Sequence, residues 1–417
     1  MVRDKAASDV SGNLSAAKHP PVGVAEAREA MLRRIEPLPT EVVAASVAHG
    51  RVLADPVSAG GDQPPFAAAS MDGYAVRSDD CPGRLLLVGE SAAGRGYAAM
   101  LRPGEAVRIS TGAPLPDGAD CVVIQEDVTR DGTHVLVPAA RQADNIRPRA
   151  FDFAAGTPLL EAGRRLDGVA LALAAAAGAA HLTIRQRPRI AILSSGDELV
   201  PAGISPGPFQ IYDSAVPGVS ALAEQWGASV QRLAIERDDA DGIARAAAAG
   251  LRECDLLIVV GGASVGDHDH AKPALSRIGL QLAVDKVAVR PGKPTWFGTT
   301  ELGPVLGLPG NPASALVCAI LFLRPILEKM AARADGAAFV RARLEAALPA
   351  NGPREHYLRA RLESDATGQL RVTAFEQQDS SLLSIFSTAD ALIRLPAGSD
   401  AQPAGALVDV LPLGLAC

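Results

Sequence analysis

Carboxylate, hydroxyl and glycine residues recur where three predicted apolar strands end. The segments are Ser194-Ser195-Gly196-Asp197-Glu198, Ile235-Glu236-Arg237-Asp238-Asp239 and Gly261-Gly262-Ala263-Ser264-Val265-Gly266-Asp267-His268-Asp269. Ligands of open α/β sheets bind at the carboxyl ends of the strands. Glycines and hydroxyls there suit an anion, and a divalent cation offsets its repulsion from carboxylates. The pattern favours a metal–phosphate site, although Asp239 is explained equally well as a helix cap and Glu198 as a solvent-facing acid.

Two rigid loops follow these segments along the chain. In Arg290-Pro291-Gly292-Lys293-Pro294, the prolines and glycine hold two cations close together, which is unfavourable unless an anion pairs with them. The alternative interpretation is that the loop is an ordinary solvent-exposed turn that binds no anion. The second loop, Leu308-Pro309-Gly310-Asn311-Pro312, comes at a strand end and opens a helix that Asn311 is able to cap. The residue preferences at the start of a helix are by themselves enough to explain this second loop.

Two other motifs in the same region indicate different chemistry. The order Gly262-Ala263-Ser264-Val265-Gly266 matches the G-x-S-x-G pattern of serine hydrolases, with Ser264 as nucleophile. No oxyanion segment of the HGGG type accompanies it, so this is a remote alternative. His268 and His270 alternate with acids and could bind a transition metal, although loop histidines explain them better. The phosphate-loop and dinucleotide-binding fingerprints are both absent from the sequence.

The elements that position these residues change character along the chain. Helical periodicity over 24–35 and an amphipathic stretch over 41–53 precede short β-like segments, and an Ala/Leu helix capped by Asp167 follows them. From 187 to 330, strands alternate with helices, which predicts a parallel α/β sandwich. The segments beyond 339 are strands again and predict a small barrel or sandwich. The predicted strands are 84–88, 106–109, 121–124, 134–137, 190–193, 230–235, 256–260, 339–344, 357–362, 369–374, 391–395 and 406–410, and the predicted later helices are 167–180, 214–226, 239–251 and 311–330, the last with a kink at Pro325.

Composition narrows the class of protein. The chain of 417 residues suits two to four domains, and its formal net charge of −7 argues against a basic nucleic-acid-binding face. Five widely spaced cysteines without a CxxC pair indicate reduced thiols in a cytoplasmic protein. No apolar run reaches the ~20 residues that cross a membrane. Residues 1–20 lack the apolar segment of a signal peptide and are predicted to be a disordered leader.

The ordered set of motifs resembles one family, the molybdopterin molybdenumtransferases, which comprise the bacterial MoeA proteins and the E-domain of gephyrin. The resemblance covers nearly the whole chain after about residue 20. Besides the segments quoted above, it rests on Ser70-Met71-Asp72-Gly73-Tyr74-Ala75, Ser110-Thr111-Gly112-Ala113-Pro114, Gly118-Ala119-Asp120, and Asn145-Ile146-Arg147 with Asp152.

The resemblance implies a multidomain α/β fold in four parts after the leader. These are a helical linker domain (21–60 and 154–184), an inserted all-β domain (61–153), a central parallel α/β/α sandwich of the molybdopterin-binding type (185–335) and a C-terminal β-barrel (336–417). It also implies a homodimer whose active site lies at the subunit interface. The implied reaction takes adenylylated molybdopterin and molybdate, cleaves the adenylate with Mg²⁺, and yields molybdenum cofactor and AMP. Molybdopterin adenylyltransferase is a candidate partner, and neither nucleic acid nor membrane is expected.

The family's functional positions carry over to residues of this chain. The expected catalytic residues are Asp72, Asp152, Glu198, Asp238, Asp269 and Lys293, of which Glu198, Asp238 and Asp269 are the expected Mg²⁺ ligands. The expected substrate-binding residues are Thr111, Ser195, Gly196, Gly261, Gly262, Ser264, Gly266, Arg290, Pro309, Asn311, Pro312, Arg359 and Ser380.

Five positions depart from the family pattern. Ala150 stands where glycine is usual, Phe151 where an acid is common, Ala215 where asparagine is usual, His270 where tyrosine is usual, and Asp379 where a glycine commonly precedes the serine. Because Ala150 and Phe151 flank Asp152, they leave open a second hypothesis. In that hypothesis the chain is a non-catalytic, molybdopterin-binding scaffold of the same fold.

Overall fold

The computed structural model describes residues 20–262, 270–334, 336 and 338–413. Its contacts divide the chain into two units. We call residues 40–185 the β unit, and residues 20–39 together with 186–413 the α/β unit. The division into four parts stays a prediction.

The first helix, α1 (Val24–Leu32), confirms the helical periodicity read from residues 24–35 but ends three residues earlier. It buries Val24, Ala27 and Met31, which recur at helical spacing along one face. These side chains join the core of the α/β unit together with Ile326 and Met330. The residues after the helix return its chain to that core, because Ile35 is also buried.

The β unit is built around a six-stranded sheet in the order β7-β4-β6-β5-β9-β8. All four predicted strands between 84 and 137 form, which confirms an all-β region here. The elements of the unit are β1 (Thr40–Ala44), β2 (Val57–Ser58), β3 (Ala68–Ala69), β4 (Gly73–Val76), β5 (Gly83–Ser91), β6 (Glu105–Ile109), β7 (Cys121–Ile124), β8 (Thr129–Asp131), β9 (His134–Val137), β10 (Ile146–Arg147), β11 (Pro158–Leu160), α2 (Gly168–Ala176) and β12 (His181–Arg185).

The helical interpretation of residues 41–53 is wrong. The segment forms β1, which pairs antiparallel with β12, and a single 3₁₀ turn at Ala45–Val47. Side chains along β1 alternate between exposed and half-buried, which is the period of a strand with one packed face. The prediction for α2 is confirmed: Asp167 caps the helix by accepting a hydrogen bond from the backbone N–H of Ala170 at 2.7 Å.

A second six-stranded sheet forms the centre of the α/β unit, in the order β16-β13-β17-β21-β20-β18. The four strands from β16 to β21 are parallel, as predicted. The elements here are β13 (Arg189–Ser194), β14 (Leu199–Val200), β15 (Ile211–Tyr212), α3 (Ala215–Gln225), β16 (Ser229–Arg232), α4 (Ala240–Glu253), β17 (Leu256–Val260), α5 (Ala271–Ser276), β18 (Gln281–Val284), β19 (Val289–Arg290), β20 (Trp296–Thr300), β21 (Gly303–Leu308), α6 (Pro312–Cys318) and α7 (Arg324–Met330).

The last two strands of this sheet, β20 and β18, run antiparallel to their neighbours. Strands β20 and β21 are joined through two residues between the paired Thr300 and Gly303. So short a connection forms a hairpin and cannot cross over to a parallel strand. The predicted parallel arrangement is therefore confirmed for the four strands from β16 to β21, and β20 and β18 add an antiparallel edge that was not predicted.

Helices cover both faces of the sheet, as the α/β/α prediction required. Alternate residues of β13 show this, because Ile190 and Ile192 belong to one core cluster and Ala191 and Leu193 to the other. All five residues of β17 are buried, as expected for a central strand that is covered on both faces.

The predicted helix over 311–330 is interrupted one turn before the expected kink. A π-helical turn, Ala319–Leu323, separates α6 from α7. Pro325 lies in the first turn of α7, directly after this π-helical turn, and its ring nitrogen cannot donate a helical hydrogen bond to that turn. The irregular backbone therefore precedes the proline instead of centring on it.

The C-terminal strands close into a five-stranded barrel in the order β23-β24-β22-β26-β25, with β25 pairing back onto β23. This confirms the predicted barrel. Strand β19 extends it by pairing with β23, which places Arg290 opposite His356. The elements are β22 (Val340–Leu344), β23 (Glu355–Ser364), β24 (Leu370–Ala374), α8 (Leu383–Phe386), β25 (Ala391–Leu395) and β26 (Leu407–Pro412).

Two sequence-based exclusions concern membranes and disulfides. Within the described ranges, none of the helices has the length and apolarity needed to span a bilayer. Cys81, Cys121, Cys254 and Cys318 are free thiols, and Cys417 lies outside the described residues.

The Asp167 cap provides a test of the β unit. We expect Asp167→Ala to lower the free energy of unfolding by about 1 kcal/mol, because the N–H of Ala170 loses its acceptor. Asp167→Asn keeps a capping oxygen and is the matched control. Urea unfolding followed by circular dichroism measures both, and equal stability of the two variants would contradict the capping role.

Candidate active site

A cavity of about 790 Å³ lies at the carboxyl ends of β13, β17 and β21, and we call it the acidic cavity. It collects most of the predicted residues from the strand ends and from the second rigid loop. Those that line it are Ser195, Gly196, Glu198, Asp238, Gly261, Gly262, Pro309, Asn311 and Pro312. Asp213 and Tyr212 also line it, and neither was predicted to.

Ser195 brings an unsatisfied hydroxyl group to this cavity. The residue is only 3% exposed, and its Oγ has no hydrogen-bond partner among the described residues. The neighbouring hydroxyl of Ser194 is engaged, since it donates to Asp213 at 2.9 Å. A buried hydroxyl without a partner is costly unless a ligand or water satisfies it. Ser195 is therefore suited to bind a polar ligand atom.

Gly261 permits the sharp change of direction after β17. Its φ of +91° is one that side chains disfavour, and an added Cβ would lie 3.0 Å from the carbonyl oxygen of Ser195. The absence of a side chain thus lets the ends of β13 and β17 approach each other. Ser195 and Gly261, which meet at this close approach, both line the acidic cavity.

The carboxylates at the strand ends have different structural roles. Glu198 is exposed and Asp238 half-buried, and both line the acidic cavity. Asp239 instead caps α4 by accepting from the N–H groups of Gly242 and Asp241, and these hydrogen bonds lower the pKa of Asp239. The alternative interpretation of Asp239, as a helix cap, is therefore confirmed.

The third predicted metal ligand cannot be placed beside the other two. Asp269 lies outside the described residues, as do Ser264, Gly266 and His268. Over residues 20–262, 270–334, 336 and 338–413, no group of three His, Cys, Asp or Glu side chains could hold a metal. The other two predicted metal ligands, Glu198 and Asp238, line the same cavity.

A second cavity, of about 860 Å³, adjoins the first, and we call it the cationic cavity. Arg290 and Lys293 line it from the first rigid loop, and Arg354 and His356 from the barrel. The two cavities share Pro294, Pro309 and Asn311 as lining residues. The structure therefore divides the predicted site into neighbouring regions of opposite charge.

The loop that carries Arg290 and Lys293, which we call the cationic loop, packs against helix α6. Gly292 has a φ of +115°, and an added Cβ would lie 2.1 Å from the Sγ of Cys318. Thr295 donates to the carbonyl oxygen of Gly292 at 2.8 Å and lies 3.0 Å from the same sulfur. Burial raises the pKa of the Cys318 thiol to about 12, so it packs there as a neutral group.

Asn311 occupies the N-cap position of α6, but its side chain makes no capping hydrogen bond. It donates instead to the hydroxyl of Ser380 at 2.9 Å. The expectation that Asn311 caps the helix is therefore wrong. This hydrogen bond joins the second rigid loop to the segment 378–382, so two predicted substrate-binding residues lie together.

Arg359 lies beneath that segment. It is 1% exposed, and its guanidinium donates to the side-chain oxygen of Gln378 and to the carbonyl oxygen of Leu382. Gln378 also accepts from the backbone N–H of Arg359. These bonds hold the segment carrying Ser380 in position.

In the β unit, Asp72 and Thr111 are brought together. Asp72 lies between β3 and β4, and its carboxylate accepts hydrogen bonds from the backbone N–H and the hydroxyl of Thr111 at 2.6 and 3.0 Å. These bonds lower the pKa of Asp72. Asp152 is exposed on a separate loop, where its N–H donates to the carbonyl oxygen of Gln63.

Comparison with known proteins supplies the decisive observation. Three family models match consecutive parts of the chain: the MoeA N-terminal region (domain I and II) over residues 22–178, a probable molybdopterin binding domain over 191–329, and the MoeA C-terminal region (domain IV) over 341–413. The molybdopterin molybdenumtransferase of a Nostoc species is 34% identical over 90% of this chain and 89% of its own. The chain belongs to the family of molybdopterin molybdenumtransferases.

Other members of the family agree in sequence and in fold. The Haemophilus influenzae molybdopterin molybdenumtransferase is 36% identical over 73% of this chain and 76% of its own. A crystal structure of the molybdopterin biosynthesis MoeA protein from Pyrococcus horikoshii superposes with a TM-score of 0.80 at 29% identity. That match covers 95% of this chain and 100% of the archaeal one.

The departures from the molybdenumtransferase pattern have structural consequences. Ala150 keeps a φ of +60°, the conformation that the family's usual glycine adopts without strain. Phe151 is 64% exposed beside Asp152. Asp379 accepts hydrogen bonds from the backbone N–H and hydroxyl of Ser381, which lower the pKa of Asp379. Ala215 is buried in the lining of the acidic cavity.

Among the lining residues that the sequence did not indicate are Tyr212, Asp213, Arg354 and His356. The segment of Asp213 follows β15, a strand too short to leave a periodic signal. His356 comes to the site only because β19 pairs with β23. The pairing of two strands that are distant in sequence cannot be predicted from the local residue pattern of either strand.

Gly292 provides a test of how the cationic loop is held. We expect Gly292→Ala to lower the free energy of unfolding by about 1–3 kcal/mol, because the new methyl group collides with Cys318. The double variant Gly292→Ala/Cys318→Ala should recover part of that loss.

Gly352 lines the same cavity with open space at its Cβ position, so Gly352→Ala is the matched control. Denaturant unfolding measures all three variants. A Gly292→Ala protein as stable as Gly352→Ala would contradict the seating of the loop on α6.

Proposed function

We propose that the protein inserts molybdate into adenylylated molybdopterin, with cleavage of the adenylate and release of AMP and molybdenum cofactor. The observation that carries the proposal is the pair of oppositely charged cavities sharing Pro294, Pro309 and Asn311. The reaction needs an oxyanion and a metal-bound pyrophosphate beside each other. Family membership and the relatives' names support the same activity.

The acidic cavity is the proposed site of adenylylated molybdopterin. Ser195 offers its unpartnered hydroxyl, and the backbone of Gly196, Gly261 and Gly262 can approach a phosphate closely. Ser264, Gly266 and Asp269 follow the same strand end in sequence and belong to the proposed site. Pro309 and Pro312 give the wall a fixed shape next to the substrate.

Glu198 and Asp238 are the proposed protein ligands of Mg²⁺, with Asp269 as a third. One or two carboxylates together with substrate phosphate oxygens are a usual donor set for this ion, so the two residues facing the acidic cavity fit it. The ion would neutralise charge on the pyrophosphate during cleavage. The two carboxylates would otherwise repel that group, which makes binding of the nucleotide dependent on the cation.

The cationic cavity is the proposed site of molybdate. Arg290 and Lys293 supply positive charge for the dianion, and the Ser380 hydroxyl, oriented by Asn311, supplies a hydrogen bond. Arg359 supports the segment 378–382 from beneath and thereby positions Ser380. Lys293 lies in the same loop as Pro294, which also lines the acidic cavity, and so holds the oxyanion close to the pterin substrate.

Asp72, Thr111 and Asp152 are proposed to complete the site from the β unit of a second copy, so that the enzyme is a homodimer. Exposed apolar side chains in the segments that carry Asp72 and Asp152 support an interface, because exposed apolar surface often marks an interaction site. Phe66 is 40%, Met71 50% and Phe151 64% exposed. Thr111 holds the Asp72 carboxylate in place through two hydrogen bonds, and the Asp152 side chain is exposed.

The substrate must come from an enzyme that transfers AMP to molybdopterin. We propose the molybdopterin adenylyltransferase as that partner, which would deliver its product to the acidic cavity. A scaffold that binds molybdopterin without turnover is the second candidate, favoured by Ala150 and Phe151 beside Asp152.

AMP release tests these candidates. Purified protein with adenylylated molybdopterin should release AMP only when both molybdate and Mg²⁺ are present. Binding of the substrate without AMP release would establish the scaffold instead. A fluorophosphonate probe addresses the serine hydrolase hypothesis, since labelling lost in Ser264→Ala would revive it.

We expect Glu198→Gln and Asp238→Asn each to lower kcat for AMP release by about 10²-fold or more, because each removes a proposed ligand of the Mg²⁺ ion that would neutralise charge on the reacting phosphate. Added Mg²⁺ should recover part of the loss if the variants bind the ion more weakly. Glu224→Gln, at an exposed acid on α3, is the matched control and should keep the parent rate. Parent-like kcat in both site variants would contradict their assignment.

Subunit complementation tests the shared site. Asp152→Asn and Glu198→Gln proteins should each be inactive alone. Mixed in equal amounts after dissociation, they should recover about a quarter of the parent activity, because half of the dimers then contain one intact site of two. Absence of recovery, with mixed dimers verified by differently tagged chains, would place both residues in one subunit's site.

A further inference from the structure

His356 is a buried histidine in the cationic cavity to which the proposed reaction gives no role. It is the second residue of β23 and is paired in register with Arg290 of β19 and Leu395 of β25. Its side chain lines the cavity although the residue is only 8% exposed. A titratable ring thus lies at the place where the barrel meets the cationic loop.

The ring faces far more positive than negative charge. Arg290 acts on the ring from β19, Arg354 from the segment before β23 and Arg359 from β23 itself. Lys293, in the loop after β19, lines the same cavity. Burial, and then Arg290, Arg354 and Arg359, lower the pKa of His356 to about 4. The ring is therefore neutral near pH 7 while the cavity holds no anion.

The acidic groups near the ring are few and partly engaged. Glu376 and Asp379 line the cavity from the segment after β24, and Asp379 is hydrogen-bonded to Ser381. Glu355 precedes His356 on β23, but it accepts from Tyr357 and pairs with Arg394. On β25, Leu395 opposite the ring carries no charge. None of these acids offsets the four cations fully.

The His356 ring also retains its hydrogen-bonding capacity. It makes no hydrogen bond with any residue in the described part of the chain, so its nitrogens remain available to a ligand. A neutral imidazole has one donor and one acceptor, whereas the protonated ring has two donors. An oxyanion, which only accepts, is matched by the protonated form.

We propose that His356 is a further binding residue of the oxyanion site and takes up one proton from solvent when the anion enters the cationic cavity. The proposal rests on the proposed function, in which that anion is molybdate. The anion stays a dianion, and the proton passes from the buffer to the ring nitrogen that was unprotonated. The physical cause is electrostatic: burial lowers the pKa of His356 most, and the anion offsets the further lowering that Arg290, Arg354 and Arg359 cause.

The sign of the pH dependence follows from linkage. The anion-bound form holds the proton more tightly, so the pKa of His356 is higher in that form than its value of about 4 in the free form. Between these two pKa values, affinity for the anion rises as pH falls. Within that window, affinity for the anion should change by up to about tenfold per pH unit. Above the window, the dependence on His356 disappears.

Isothermal titration of the full-length protein with sodium molybdate, at pH 6.5 and pH 8.0 in two buffers of different ionisation enthalpy, measures the protons taken up. We expect net uptake at pH 6.5 and tighter binding there than at pH 8.0. His356→Gln should abolish the uptake and flatten the pH dependence. His181→Gln, at an exposed histidine of β12, is the matched control and should behave as the parent.

Uptake that persists in His356→Gln, or a parent protein with no uptake, would overturn the proposal. A parent protein that binds no molybdate would overturn it too, and AMP release measured separately then decides the proposed function. Should His356→Gln fail to fold, the ring carbon–proton resonances of the parent provide the readout. One histidine must move to the protonated chemical shift when tungstate is added at pH 6.5, and an unchanged spectrum would contradict the proposal.

Discussion

The close contact between Gly292 and Cys318 fixes the part of the molecule on which the rest of the site depends. It leaves no room for a side chain at position 292, and Thr295 secures the same turn. The cationic loop is thereby pressed onto helix α6. That helix begins at Pro312, in the second rigid loop, so a single helix holds both loops in a fixed relation.

This relation keeps unlike charges apart while leaving them adjacent. Glu198 and Asp238 lie on one side of Pro294, Pro309 and Asn311, and Arg290 and Lys293 lie on the other. Short flexible loops would let such groups pair with one another and close the site. Prolines restrict the backbone and prevent that rearrangement, so each cavity keeps its charge for a ligand of opposite sign. In the proposed reaction those ligands are a divalent cation with its pyrophosphate and an oxyanion.

Much of the acidic cavity was predictable from sequence, because apolar strands followed by Gly, Ser and acidic residues leave a local signal and parallel strand ends converge at one edge. The signal could not distinguish Asp238, which faces the cavity, from Asp239, which caps α4. It also assigned Asn311 to its own helix, whereas the side chain binds Ser380, far along the chain. The antiparallel edge of the sheet was not predicted, because it depends on a two-residue hairpin between β20 and β21, two strands that the sequence pattern did not identify.

The cationic cavity was less accessible to prediction, since it forms where β19 joins the barrel. Arg290 and Lys293 could be read from one loop, but His356 and Arg354 arrive through the pairing of strands that are distant in sequence. Arg359 illustrates the same limit, because its burial beneath the segment 378–382 follows from its bonds to Gln378 and Leu382.

The division into two cavities is tested most directly by locating an electron-dense oxyanion in a crystal. Tungstate, soaked into crystals of the intact protein, is distinguished from other ions by its anomalous scattering. We expect a tungsten peak in the cationic cavity, within contact of Lys293 or Arg290 and near Ser380. A peak in the acidic cavity beside Glu198 and Asp238, with the cationic cavity empty, would contradict it.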